Sequence, residues 1–582
     1  MAERGSMDTR PGREGDDGGY QPWLAYAEAN GMMHTFERIG RSESPSSMLG
    51  IAQHHYSEQS IADSASSMGA SSSGSQSRRS AFLKSVDPAV RRRVEAAQVY
   101  FLEYYVDQLT YIANRRQRLE RFKNAMRSIQ VTPHSVQRSW GNHQANETNI
   151  LRRRRTRTRE HEFDVLAQIG QGGFGQVFLA RKRDTGEVCA LKKMDKQLLV
   201  RLNEVQHILT ERDILRTSKS EWLVRLLYSF QDARHLYLAM EFVPGGDIRS
   251  LLIQNDLFRH HVARFYIAEM LVSVAALHSF GYFHRDLKPE NFLVDASGHV
   301  KLTDFGLSHG HLSRGTLDVM RKTLDRVKDQ DVIHRSSSER RSLSKQAAAS
   351  RMSDHAERAF SIVGSPDYMA PEILYTSLAA DRQHGERRPA TSDRSSRCSS
   401  GSNDPLADAH LGYDFRVDYW SLGCILYEFY ASYSPFTGPT ADDVWRNVYH
   451  WEEVLHRPDF ASKDADDNLT PEAWDLITAL ACHRDIRLCS LQEVAKHSYF
   501  RGMDMFNLRA TQDPPFIPAL QSDADNTHFD DFSDPASMAV YKDVNNKWKD
   551  LDNLSAQQPS SDVDPVSFIG FTYKHNRQHR FI

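Results

Sequence analysis

The spacing of apolar residues changes rhythm several times along the chain, and each rhythm predicts a different element. Between 85 and 127, Val94, Ala97, Phe101, Tyr105, Leu109 and Ile112 recur three or four positions apart, which draws one apolar stripe down a helix. From 163 to about 500 strand and helix signals alternate. QVFLARKR (176–183) alternates as a strand and runs into the turn DTGE, EVCALKKM (187–194) reads as the next strand, and HILTERDIL (207–215) as a helix. Further on, Phe292-Leu293-Val294 forms a short buried strand directly after a charged stretch. Polar insertions break the pattern at 311–358 and 380–405. The second reads as a disordered surface loop, whereas Leu317, Met320, Leu324 and Val327 give the first a short amphipathic helix. Residues 1–84 are Ser-rich, and SASSMGASSSGSQSRRS buries too little apolar surface to offset the entropy of ordering. After 500 comes a Pro- and Asp-containing tail that ends in the aromatic cluster FIGFTYKH.

Composition narrows the class. Of 582 residues, 40% are hydrophobic and 26% charged, the balance of a soluble chain with at least one large core. No apolar run reaches the length of a membrane span, and the polar start MAERGSMDTRPGREGDDGG lacks a signal peptide's apolar core, so secretion is not expected. The five cysteines, Cys189, Cys398, Cys424, Cys482 and Cys489, have no CxxC spacing, which predicts reduced thiols in cytosol or nucleus and no zinc site. The net charge of -3 conceals two basic runs, RRQRLERFK and RRRRTRTR. The second suits a solvated linker, nuclear import or nucleic acid, but no stacking aromatics stand beside 152–159.

Four stretches carry chemistry. In IGQGGFGQV, Ile169, Gly170, Gln171, Gly172, Gly173, Phe174, Gly175, Gln176 and Val177 fit GxGxxG followed by a branched residue. Glycines let backbone amides approach phosphate oxygens. The same pattern opens dinucleotide-binding folds, but those continue as a helix and this one continues as a strand, so a hairpin over a triphosphate fits better. The next strand supplies Ala190 and Lys192, and Glu211 follows in the helix. Singly they read as a snorkelling lysine and a solvated glutamate; as a pair they set an ammonium against phosphates. FHRDLKPENFLVD (283–295) brings Asp286, Lys288 and Asn291 within six residues, and KLTDFGL adds Asp304. Phosphoryl transfer needs positioning and charge neutralisation more than covalent chemistry. Asp286 suits orienting a hydroxyl and taking its proton, and Lys288 suits offsetting charge on the transferred group. Asn291 and Asp304 are hard oxygen ligands of the kind Mg2+ prefers. A charged surface turn explains one such stretch, but not four in this order.

These stretches, with SPDYMAPE around Ala370-Pro371-Glu372, DYWSLGC with Asp418, and Arg487 in RDIRLCS, resemble the eukaryotic protein kinases over about 163–500. The resemblance implies an α+β bilobal kinase fold, a β-rich small lobe over a helical large one, with ATP and Mg2+ between them. LYLAMEFVPGG would be the hinge, with Met240 behind the adenine and Glu241 and Val243 offering backbone hydrogen bonds. Arg487 would pair with Glu372, and Arg285 would clamp a phosphorylated activation segment. FNLRATQDPPFIPAL, HFDDF and FIGFTY look like the C-terminal tail of AGC kinases, residues 501–582. There Phe568 and Phe571 would be docking rings, Thr572 a phosphosite, and Phe529 an approach to the nucleotide. The long insertion between Asp304 and Ala370 and the aromatic-basic helix within 85–162 are similar to the NDR/LATS branch. VGSPDYMAPEIL is similar to fungal kinases of mitotic exit and septation. Cys489, where relatives have glycine, and ASYSPF depart from the pattern without touching the phosphate residues.

By that resemblance the chain is an ATP-dependent serine/threonine protein kinase acting in mitotic exit, septation and cytokinesis, and the lysine of DLKPEN is the serine/threonine form of the loop. A Mob-type co-activator would dock on Tyr105, Arg115, Arg116 and Arg118, although the apolar stripe also suits packing on the kinase domain. Ser361 would be the activation-segment phosphosite, a target of an upstream Ste20-like kinase or of the chain itself, and Ser365 would lie in the substrate-docking loop. Asp247, Glu290 and Glu428 match positions that contact arginines ahead of the target, which implies basophilic substrates. The insertion helix is expected to obstruct the Glu211 helix until displaced. The alternative is a Mob-binding scaffold without catalysis; it predicts loss of Lys192, Asp286, Asn291 or Asp304, and all four are present. A cytoplasmic location with spindle-pole, division-site and nuclear pools is implied by the family alone.

Overall fold

A computed structural model describes residues 88–128, 133–172, 175–202, 204–306, 308, 314–345, 366–379, 414–460, 462–532, 568 and 570–574. Residues 1–84, Gly173, Phe174, Ser361, Ser365 and the 380–405 insertion lie outside them.

Short turns and alternating apolar positions between 163 and 241 build an antiparallel sheet from β1 (Phe163–Gln171), β2 (Gly175–Lys182), β3 (Val188–Asp195), β4 (Leu226–Gln231) and β5 (His235–Glu241). A separate hairpin joins β6 (Phe292–Val294) to β7 (Val300–Leu302). The last strand, β8 (Tyr573–Lys574), pairs with β4, so the large sheet runs β1-β2-β3-β5-β4-β8.

The helices are α1 (Pro88–Ser128), α2 (Pro133–Arg155), α3 (Lys196–Arg201), α4 (Val205–Thr217), α5 (Ile248–Asn255), α6 (His260–Ser279), α7 (Arg314–Val327), α8 (337–345), α9 (Pro371–Ala379), α10 (Arg416–Ala431), α11 (Ala441–Tyr449) and α12 (Pro471–Leu480). Short 3-10 and α turns lie between them. The result is an α+β molecule of two lobes, the sheet with α4 above and helices around α10 below. Residues 417–431 of α10 are buried without exception, and Trp420 stacks on Phe436 and meets Trp451 edge-on. By length and composition α6 could cross a membrane, but its apolar surface is buried in the core beside α10.

Three packing results bear on function. First, among the described residues the stripe on α1 is exposed at Val94, Phe101, Tyr105, Leu109 and Ile112, whereas Tyr111 is buried. α1 is held to α2 by polar bonds, Arg118 to Glu147 at 2.6 Å and Arg154 to Asp107 at 2.6 Å. Second, α7 packs on α9 and α11, with Leu324 and Val327 fully buried, and Arg326 reaches Asp442 at 3.1 Å. The expectation that it leans on the Glu211 helix is therefore corrected. Its buried face is satisfied by the large lobe. Third, the tail runs across both lobes. Arg509 bonds Asp295 at 3.0 Å, Arg181 of β2 bonds Asp523 at 2.9 Å, and Phe529 lies 5.5 Å from Phe242 beside the strand-to-helix crossing. Gly298, at φ 91, makes this route possible, since a Cβ there would sit 2.3 Å from the carbonyl oxygen of Phe516.

Candidate active site

The glycine-rich turn joins β1 to β2. Gly170 faces Val177 and Gln171 faces Gln176 across the pair, while the Gly172 N–H donates to the Gly175 carbonyl at 2.9 Å. Gly175 is required by close approach: a Cβ would stand 2.3 Å from the Lys193 carbonyl oxygen. At Gly172 the nearest atom of the described residues to an added Cβ is the Gly175 carbonyl oxygen at 3.9 Å, so this position offers bare backbone, as a phosphate cover needs. Ile169 is buried at the root of the turn.

β3 places Ala190 opposite Met240 and Lys192 opposite Leu238 of β5. The Lys192 Nζ donates to both carboxylate oxygens of Glu211 on α4, at 2.8 and 3.0 Å, and lies 3.8 Å from Asp304. Burial alone would lower the lysine's pKa, but Glu211 and Asp304 outweigh it and hold the ammonium above its usual value. Glu211 is pushed up by burial while Lys192 pulls it back. The pair is ammonium and carboxylate, because Glu211 and Asp304 keep the proton on the lysine. At the end of β5 the Glu241 side chain accepts from the Arg225 N–H and from Lys301, at 3.0 and 2.9 Å. The backbone of Val243 enters no hydrogen bond among the described residues, which leaves it open to a planar heterocycle.

Asp286, Lys288 and Asn291 sit on the loop that leads into β6. Its backbone is unusual, with Arg285 at φ 70 and Asp304 of the neighbouring loop at φ 63. Such left-handed non-glycine conformations persist where surrounding bonds over-determine them. Asp418, fully buried on α10, supplies those bonds. Its Oδ2 accepts the His284 N–H at 2.7 Å and lies 2.8 Å from His278 Nε2, and its Oδ1 accepts the Arg285 N–H at 2.8 Å. Burial works to raise this carboxyl, but the hydrogen bond and charge of His278 hold it below the usual range. His284 Nε2 lies 3.0 Å from the Thr303 carbonyl, so one network positions both loops.

Within the loop Lys288 Nζ donates to Asp286 Oδ2 at 2.9 Å, and Asn291 Nδ2 donates to the Asp286 carbonyl at 2.7 Å. Burial opposes the charge on Lys288, yet Asp286, Glu290 and Asp304 raise its pKa well above that of a free lysine. Burial likewise works against Asp304, and Lys192 with Lys288 still holds its carboxyl below the usual range. The Asn291 amide, pinned through its nitrogen, has its oxygen left for a ligand. An amide oxygen and an ionised, half-exposed carboxylate suit a hard divalent cation. Among the described residues no group of three or more His, Cys, Asp or Glu could hold a metal.

The three acids assigned to substrate arginines are not equivalent. Asp247 caps α5, accepting the Ser250 N–H at 2.8 Å, and burial, with Glu290 and Asp530 adding to it, pushes its carboxyl up to about 6. Glu290 lies 4.0 Å from Arg249. Glu428 is fully buried and already bound, one oxygen accepting from Arg249 Nη1 and the other from the Tyr368 hydroxyl. Of the three acids matched to substrate-arginine positions, Glu428 is thus occupied by Arg249 of the chain itself. Sequence reasoning missed Arg249, though an arginine beside Ile248, Leu251 and Leu252 in a buried short helix was a signal.

The remaining assigned residues fall as follows. Arg487 forks onto Glu372 at 2.5 and 3.1 Å. The Arg285 guanidinium lies 4.4 Å from the centroid of the Phe283 ring. Phe568 and Phe571 are buried, with the Phe571 carbonyl accepting from Ser229 at 2.6 Å and the Phe568 carbonyl from Gln231 at 2.9 Å. Arg212 of α4 donates to the Gly570 carbonyl, so the tail end is bonded to the helix that carries Glu211. Thr572 is exposed. On α1, Tyr105, Arg115 and Arg116 are exposed, while Arg118 is occupied by Glu147.

A sheet lobe with a glycine turn and a lysine–glutamate pair, over a helical lobe with an Asp-Lys-Asn loop, defines a protein kinase, and the model described as "Protein kinase domain" matches residues 163–325 and 405–500. The chain is 41% identical over 497 residues to the serine/threonine-protein kinase sid2 of Schizosaccharomyces pombe, covering 85% of this chain and 75% of that one. It is 42% identical over 492 residues to the cell cycle protein kinase DBF2 of Saccharomyces cerevisiae, covering 83% and 78%. The serine/threonine-protein kinase CBK1 of Candida albicans is 32% identical over 495 residues, covering 81% and 61%. The chain belongs to the NDR/LATS family of AGC serine/threonine protein kinases, with the mitotic-exit and septation kinases.

Proposed function

We propose that the chain transfers the γ-phosphoryl group of ATP to serine or threonine in proteins that carry basic residues ahead of the target, with Asp286 as the base. The observation that carries this is the convergence of Lys192, Glu211 and Asp304 beside the bonded set Asp286, Lys288 and Asn291, from stretches far apart in sequence. Asp286 would hold the substrate hydroxyl and take its proton, and Lys288 would sit between that carboxylate and the incoming phosphoryl group. Lys192, held by Glu211, would fix the α- and β-phosphates, while Ala190, Met240 and Val243 would frame the adenine. Asn291 and Asp304 would hold Mg2+, which when bound draws charge from the phosphate oxygens. The basic preference falls to Asp247 and Glu290, since Arg249 neutralises Glu428.

Control would come from a Mob-type co-activator and from phosphorylation of Ser361 and Thr572, the upstream enzyme being of Ste20 type. The exposure of the α1 stripe among the described residues, with Arg115 and Arg116 exposed as well, supports the first. The bonding of the tail end to α4 supports a link from Thr572 to Glu211. A role in cell division would put the kinase at spindle poles and the division site. The test is Asp286→Asn with a basic peptide and Mg-ATP. Nucleotide binding should persist while transfer falls roughly 100-fold or more. A variant as fast as the parent refutes the assignment.

A further inference from the structure

The segment after α7 is strapped to the end of α10. α8 opens with a reciprocal cap, Ser336 Oγ accepting the Glu339 N–H at 3.3 Å and Glu339 accepting the Ser336 N–H at 2.8 Å. Its other end reaches a row of carbonyls. Arg340 donates to Pro435 at 3.1 Å, Arg341 to Ala431 at 3.3 Å, and the Ser344 hydroxyl to Ser432 at 3.2 Å, while Lys345 pairs with Asp256 at 3.0 Å. Ser344 is 5% exposed. Ala431 and Ser432 end the 16-residue helix α10, so the strap is a set of proton donors laid on the negative end of a helix dipole.

We propose that Ser344 is a self-phosphorylation site and that its phosphate releases α8 from the large lobe. The proposal rests on the reading above, that this active site phosphorylates serines preceded by basic residues; Arg340 and Arg341 stand four and three positions ahead of Ser344. In the step, the bond from the γ-phosphorus to ADP breaks, a bond to Ser344 Oγ forms, the hydroxyl proton passes to Asp286, and ADP leaves. Docked Ser344 is buried, so the step draws on molecules whose strap has opened, and the product cannot close again. The phosphorylated oxygen has no proton for the Ser432 carbonyl. Close to two negative charges then face the helix end. Arg340 and Arg341 would turn to the phosphate, which removes their bonds to Pro435 and Ala431 as well. A charge at Ser338, in the first turn of α8, has the opposite setting, because a helix N-terminus welcomes an anion.

The test uses the full chain with Mg-ATP and a basic reporter peptide in one reaction, phosphosite mapping by mass spectrometry, and hydrogen exchange across 337–345. Ser344 should be phosphorylated in the parent and not in Asp286→Asn. Exchange across 337–345 should rise about tenfold or more in the phosphorylated protein and in Ser344→Glu. Ser344→Ala with Mg-ATP, and Ser338→Glu, should exchange as slowly as the unmodified parent. A phosphorylated reporter beside an unmodified Ser344 overturns the proposal, as does unchanged or slower exchange in phosphorylated Ser344 and Ser344→Glu. If reporter and Ser344 both stay unmodified, the catalytic reading falls and takes this one with it.

Discussion

Arg249→Ala tests how the substrate groove is charged. In the parent, Arg249 and the Tyr368 hydroxyl bind the two oxygens of a Glu428 carboxylate that is fully buried. Removing the guanidinium leaves that charge without its cation, and breaking one side of a buried pair costs roughly 3–5 kcal/mol of stability. A substrate arginine placed where Arg249 was would recover part of the loss. A hydrogen bond to a charged group is worth about 1.5–3 kcal/mol net, or roughly a tenfold to hundredfold gain in kcat/KM. The assay compares peptide pairs that differ by one added arginine, scanned over the positions before the target serine, in competition for the enzyme. At the position facing Glu428 the parent should distinguish the pair weakly and Arg249→Ala strongly, while the preferences set by Asp247 and Glu290 at other positions stay unchanged. Arg249→Ala/Glu428→Gln should lose that gain and regain some of the lost stability, which thermal denaturation reports. A folded Arg249→Ala enzyme with the parent's ratios at every position would show that Glu428 is structural and faces no substrate.

Two further outcomes are expected. Asp247, with its carboxyl pushed from 3.8 up to about 6 by burial first and by Glu290 and Asp530 after it, is neutral below that pH and anionic above. KM for a basic peptide should therefore fall as pH rises through about 6, and Asp247→Asn, which keeps the α5 cap, should flatten the profile. The stability sign is opposite: between 3.8 and about 6 the folded state binds more protons than the unfolded one, so this group's contribution declines as pH rises, which denaturant titrations across that window would detect. Phe571→Ala removes a fully buried ring and should cost roughly 3–5 kcal/mol locally. The β8 pairing and the Arg212 bond to Gly570 should go with it, seen as faster hydrogen exchange in 568–574 and lower kcat; slow exchange there would contradict the packing.

The strands and helices were legible because their signals are local, while the two-lobed fold followed from the resemblance. The alternation in QVFLARKR and EVCALKKM, and the switch to helical spacing at HILTERDIL, need no distant partner to be read. The phosphate residues were legible for the same reason, since Asp286, Lys288 and Asn291 sit in one short loop. What escaped depends on contacts made across the chain. Arg249 and Glu428 are 179 positions apart, and nothing near either residue announces the other. Periodicity found the α1 stripe and the α7 helix but not what covers them: the first stays exposed and the second goes to α9 and α11. Spacing identifies a face, and only the competition among faces decides its neighbour. Asp418 was legible as part of a motif, but not its task of holding the His284 and Arg285 N–H groups with its two oxygens.

The pairing of β8 with β4 reaches beyond regulation. Without those two residues, the backbone groups that β4 turns away from β5 around Tyr228 and Ser229 would face water at the rim of the sheet, next to the apolar surface that Phe568 and Phe571 now cover. An open rim of that kind recruits strands from other molecules. The tail thus also guards solubility, and a kinase cut short before 568 would tend to self-associate through β4 whatever its catalytic state.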